Sequence, residues 1–128
     1  MRIEHVGIQA RDPAAVADWY VSQLGFTCRR SGDAPVPVRF IADESGKVML
    51  EVYHNPSVPV PDYASMDPLL LHVAFACEDL AGTAQRLSHA GATIVSGPEV
   101  KPNGDELAML RDPWGLAIQL VRRGSPMV

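Results

Sequence analysis

The strongest constraint on this chain is that it repeats itself. The opening IEHVGIQARD and the later LLLHVAFACED each set His directly before Val, with Asp seven positions after the His: His5 with Asp12, and His72 with Asp79. The two histidines are 67 positions apart in a chain of 128 residues. Self-similarity at about half the chain length predicts two copies of one supersecondary unit, with any site built by duplication.

The local patterns agree with that reading. Residues 3–10 alternate as a half-buried strand, with Val6, Ile8 and Ala10 on one face and Ile3, His5, Gly7 and Gln9 on the other. Asp12-Pro13 predicts a helix N-cap followed by proline in the first turn, and Gly25 a left-handed stop. Val16, Trp19, Tyr20 and Leu24 supply the helix's apolar stripe. Strands are then expected at 26–30, 38–42 and 47–53, which makes a βαβββ unit over residues 1–54.

Residues 55–68 follow as a linker, stiffened by Pro56, Pro59, Pro61 and Pro68. The same order of elements then returns over 69–123: a strand at 69–76, a helix capped by Asp79 and running to Gly91, a strand at 92–96, a loop at 97–105, and strands at 106–110 and 116–121. Gly25 matches Gly91 at an offset of 66, Glu51 matches Gln119 at 68, and Gly46 matches Gly115 at 69.

Alternation also sorts side chains by face. Val48, Leu50 and Val52 oppose Met49, Glu51 and Tyr53; Leu116, Ile118 and Leu120 oppose Ala117, Gln119 and Val121; Leu71, Val73 and Phe75 oppose Leu70, His72, Ala74 and Ala76. Four strands thus each have an aliphatic face suited to a helix and a second face with one coordinating-type side chain. A lone polar residue on the water-facing side of a sheet requires no function. Two imidazoles, a carboxylate and an amide at equivalent positions of a repeat form a set that suits a divalent metal. Met49 and Tyr53 share the Glu51 face and are expected as pocket wall. Arg39 is a candidate for binding an anionic substrate group, and a solvated edge is its plainer alternative.

Charge and composition remove several classes of partner. The net charge is −4 and the basic residues are scattered, so nucleic acid is not expected. No apolar run approaches membrane-spanning length. Cys28 and Cys77 form no C-x-x-C motif, and with no basic-then-apolar leader at Met1 the chain is expected in the cytoplasm.

HVGIQARDPAAVADWYVSQLGF, LEV at 50–52, HVAFACEDL and DPWGLAIQLV resemble the glyoxalase/bleomycin-resistance/dioxygenase family, also called the vicinal oxygen chelate superfamily, from Arg2 to Arg122. The resemblance implies an α+β fold: one domain of two tandem βαβββ modules whose mixed sheets curl into a cup with helices outside. It implies metal ligands at His5, Glu51, His72 and Gln119, with Ni, Zn, Co, Mn or Fe as the ion. It also implies a small-molecule substrate chelating that ion through adjacent oxygens, and a homodimer. His, Glu and His are the residues of bacterial-type glyoxalase I at three of four ligand positions; Gln119 stands where that enzyme has glutamate. Glutamine ligates through its oxygen but is no general base, so glyoxalase-like lyase or isomerase chemistry would fall to Glu51. The alternatives are an Fe(II)-dependent extradiol-type dioxygenase, although its single carboxylate would be expected on the last strand, and a non-catalytic drug- or metabolite-binding protein.

Overall fold

A computed structural model describes residues 1–127 of the chain. Its elements run β1 (His5–Gln9), α1 (Pro13–Leu24), β2 (Thr27–Gly32), β3 (Val38–Ala42), β4 (Met49–Tyr53), a 3-10 turn (Tyr63–Ser65), β5 (Val73–Ala76), α2 (Leu80–His89), β6 (Thr93–Val100), β7 (Glu106–Arg111) and β8 (Ala117–Arg122). The fold is α+β, made of two tandem βαβββ modules. Each contains a four-stranded mixed sheet, ordered β1-β4-β3-β2 in the first and β5-β8-β7-β6 in the second. In both, the outer strand pairs in parallel with the last strand and the other pairings are antiparallel.

The expected caps are in place. Asp12 accepts the amide of Ala15 at 3.1 Å, and Asp79 accepts that of Gly82 at 2.9 Å. Gly25 closes α1 at φ 70°, a conformation that costs a residue with a Cβ but not glycine. Helix α2 ends one step earlier than its glycine suggests, with Ala90 as the cap. Helix α1 lies against β3 and β4, and α2 against β7 and β8; Tyr20, Ile41 and Val52 in the first module and Leu87, Leu110, Ile118 and Leu120 in the second are all essentially inaccessible. Each such side chain contributes about 1.5–3 kcal/mol by leaving water.

The structure revises two segments. Residues 69–71 are not strand: Asp67 accepts the Leu69 amide through its side chain at 2.9 Å and the Leu70 amide through its carbonyl at 2.9 Å. This Asp-Pro turn overrides the β-like apolar run, so Leu69, Leu70 and Leu71 are exposed and His72 lies just before β5. Strand β6 continues through the expected loop to Val100, and ladder irregularities beside Ser96 and Glu99 let it pass Pro98, which has no amide to donate. Gly97 permits that passage, because a Cβ there would meet the Leu107 carbonyl oxygen at 2.5 Å.

The proline-rich segment is also more structured than its composition suggests. Gln9, buried in β1, receives the Asn55 amide at 2.9 Å and donates to the carbonyls of Asn55 at 2.7 Å and Val58 at 3.0 Å. Arg111 of β7 donates to the carbonyls of Tyr63 at 2.8 Å and Met66 at 2.7 Å. The two ends of the segment are thus tied to different modules. The chain divides into compact units between Pro61 and Asp62.

Candidate functional site

In the first unit the site face is built by the parallel pairing of β1 with β4, which sets Gly7 opposite Glu51 and His5 opposite Met49. His5 and Glu51 lie on one face, two positions out of step, and their side chains converge: His5 Nε2 is 3.3 Å from Glu51 Oε2. The other imidazole nitrogen, Nδ1, is held by the carboxylate of Glu4. That hydrogen bond is the main reason the His5 pKa lies above the ordinary histidine value; desolvation opposes it, and the charges of Glu4 and Glu51 add to it. Gly7 makes room for the pair. A Cβ there would stand 3.3 Å from the Tyr53 ring and 3.5 Å from Glu51 Oε2.

Phe40 pairs with Glu51 across β3 and β4 and so shares this face. Its ring meets His5 edge-on at 5.7 Å between centroids. Two concavities open beside it. One, of about 390 Å³, is lined by Glu4, His5, Arg29, Arg30, Phe40 and Met49. The other, of about 360 Å³, has Glu51 with Val36, Val38, Phe40 and Tyr53 in its wall. Met49 and Tyr53, expected as wall from alternation, line one concavity each. Both volumes suit a small organic molecule.

Arg39 is placed differently. Its cross-strand partner is Val52, on the helix-facing side, and its guanidinium donates to the carbonyls of Gly32 and Val38 and to Asp33, each at 2.9 Å. The arginines that line the Glu4–His5 concavity are instead Arg29 and Arg30, which alternation assigns to opposite faces. The ladder of β2 with β3 explains this: Cys28 pairs with Ile41 and Arg30 with Phe40, leaving Arg29 as an extra residue in a bulge. A bulge sets two residues against one and re-aims their side chains. The doubled arginine in FTCRR was the available signal.

In the second unit the same register holds, with Ala74 opposite Gln119 as Gly7 is opposite Glu51. Counting back places His72 where His5 stands, one residue outside the strand. Its Nδ1 is 2.8 Å from the Pro68 carbonyl oxygen. Met109 pairs with Gln119 where Phe40 pairs with Glu51. Among the described residues, no group of three or more His, Cys, Asp or Glu side chains forms a metal-binding cluster.

The donor pair of the first unit nevertheless fits a divalent ion. Two ligands bound at about 2.1 Å and separated by 90–110° lie roughly 3.0–3.4 Å apart, which brackets the His5–Glu51 gap. Both His5 and His72 have Nδ1 set against an oxygen acceptor, which directs the lone pair to Nε2, the usual arrangement of a ligating histidine. His54 shows the same bond, to Ala10 O at 2.9 Å, as a link between strand ends.

The family model of the Glyoxalase/Bleomycin resistance protein/Dioxygenase superfamily matches residues 2–120. Among solved structures, TnmS3, an antibiotic binding protein from Streptomyces sp. CB03234, is 20% identical with a TM-score of 0.74, covering 97% of each chain. A glyoxalase family protein from Bacillus cereus is 18% identical with a TM-score of 0.72, covering 96% of this chain and 93% of the other. TioX from Micromonospora sp. ML1 is 22% identical with a TM-score of 0.69, covering 96% and 99%. At these identities the likeness is one of fold. No curated protein sequence gives a significant match.

Proposed function

Because the chain belongs to the glyoxalase/bleomycin resistance protein/dioxygenase superfamily, we propose that it is a metal-dependent, glyoxalase-like lyase or isomerase acting on a small substrate with adjacent oxygens. The observation that carries this reading is the 3.3 Å approach of His5 Nε2 to Glu51 Oε2 beside open concavities. In it, His5 and Glu51 hold a divalent ion, and His72 and Gln119 are the equivalent donors of the second unit. Such an ion supplies Lewis-acid polarisation of the substrate oxygens. Glu51 carries the proton between substrate carbons, since Gln119 has no ionisable group. Glu4 orients the His5 ring, and Phe40 packs against that ring's edge.

A second reading, a non-catalytic binder of a drug or metabolite, is favoured by the aliphatic and aromatic wall of Val36, Val38, Phe40 and Tyr53 and by the likeness to an antibiotic binding protein. A homodimer remains part of the proposal, with the exposed Leu69–Leu71 run as apolar surface for a second copy to cover.

Metal analysis separates the readings. Protein purified without chelator and supplied with Ni, Zn, Co, Mn and Fe in turn is expected to hold about one ion per chain. His5→Ala and His72→Ala are expected to lose it while remaining folded. Well-folded protein that takes up none of these metals would sink the enzyme and leave the binder. Turnover that requires both iron and oxygen would select the dioxygenase instead.

A further inference from the structure

The bulge in β2 does more than irregularise an edge. It sets Arg29 and Arg30 together against Phe40 and brings both into the lining of the concavity that contains His5. The Arg30 guanidinium lies 5.9 Å from the Phe40 ring centroid, within cation-π range, so the ring that touches His5 also seats this cation. The Arg29 guanidinium reaches the turn after β3, where a Cβ on Gly46 would be 3.0 Å from it.

Among the described residues, neither arginine is in an ion pair. Arg39, Arg122 and Arg123 are each paired with a carboxylate, and Arg111 is held by three backbone carbonyls. In a chain of net charge −4, two unpaired guanidiniums beside the proposed ligand pair form a local positive field. The one carboxylate lining the same concavity, Glu4, is already engaged by His5. Two guanidiniums against this one carboxylate leave a net positive charge in the lining, which a monoanion is enough to balance.

We propose that Arg29 and Arg30 form an anion subsite that selects substrates with a carboxylate group, held by the planar forks of the guanidiniums next to His5 and Glu51. The proposal rests on the reading above for the second half of the substrate, the adjacent oxygens, and not for the anion itself.

Calorimetric titration of the full chain, with and without added Ni²⁺, tests it with mandelate, mandelamide and phenyl phosphate. Wild type is expected to bind mandelate about tenfold more tightly than mandelamide, the least that one charge-assisted hydrogen bond supplies. In the Arg29→Ala/Arg30→Ala double variant the preference should fall to about twofold or less, with metal content unchanged; Arg30→Lys should keep part of it, because the charge remains while the fork is lost. Phenyl phosphate should bind no more tightly than mandelate. Equal binding of acid and amide by wild type, a preference that survives in the double variant, or tighter binding of the phosphate would each overturn the proposal. If wild type takes up no metal yet shows the arginine-dependent preference, the subsite stands and the metal reading fails. Metal uptake with no such preference gives the reverse.

Discussion

The two modules share strand order, parallel closing pair, helix caps and register, yet they carry different chemistry on the same face. Where the first has Gly7, His5, Glu51 and Phe40, the second has Ala74, His72, Gln119 and Met109. His5 is in its strand and meets a carboxylate; His72 is outside its strand and meets a backbone carbonyl oxygen. The scaffold is thus set by the aliphatic face, which both copies keep, while the opposite face has been free to diverge. Of these four pairs of positions, the carboxylate occurs in the first copy and the amide in the second.

The sharpest way to test that asymmetry is a crossed pair of exchanges. Glu51→Gln is expected to lower turnover by about 10²–10⁴-fold, the usual contribution of a positioned acid–base group, whereas Gln119→Glu should leave at least wild-type turnover. Comparable losses in both would show that the modules share the chemistry. The scaffold should respond symmetrically instead. Ile41→Ala and Ile118→Ala, each fully buried, are expected to cost about 2–5 kcal/mol in denaturant unfolding. A smaller and again matched effect, about 0.5–2 kcal/mol, is expected for Asp12→Ala and Asp79→Ala at the caps.

The smallest contrast is in pH response, because each of the two groups concerned is held chiefly by one neighbouring charge. His5 has a raised pKa, so its contribution to stability is complete below the ordinary histidine value and is lost as pH rises through the raised one. Asp105 of the second unit is shifted downward by its hydrogen bond from Arg123, aided by the Gly124 amide. Its contribution is complete above the ordinary aspartate value and is lost as pH falls through the lowered one. NMR titration should show Glu4→Gln returning His5 toward its usual value and Arg123→Ala doing the same for Asp105.

Much of this was legible in the sequence because period and punctuation are local. Asp12-Pro13, Asp79, Gly25 and the alternation of 47–53 each carry their own physical reason, and they placed His5 and Glu51 on one face. What escaped depended on pairing with a distant strand or on turn chemistry. Alternation assumes a regular pleat, so it separated Arg29 from Arg30 and favoured Arg39, which the ladder turns toward the helix side. The leucines at 69–71 look like a buried strand until the Asp67 turn claims their amides. The linker's prolines hid the anchoring of its ends by Gln9 and Arg111, both of which lie far away in sequence.

The extra residue in β2 means that the charge of the first concavity is encoded in chain length as well as in residue identity. Deleting one position between Cys28 and Arg30 would restore the regular pleat and leave a single guanidinium opposite Phe40, with the core beneath α1 untouched. A one-residue insertion or deletion at an edge strand is tolerated more readily than a change in the core, so the number of guanidiniums lining this concavity can change by one while the buried face keeps its register.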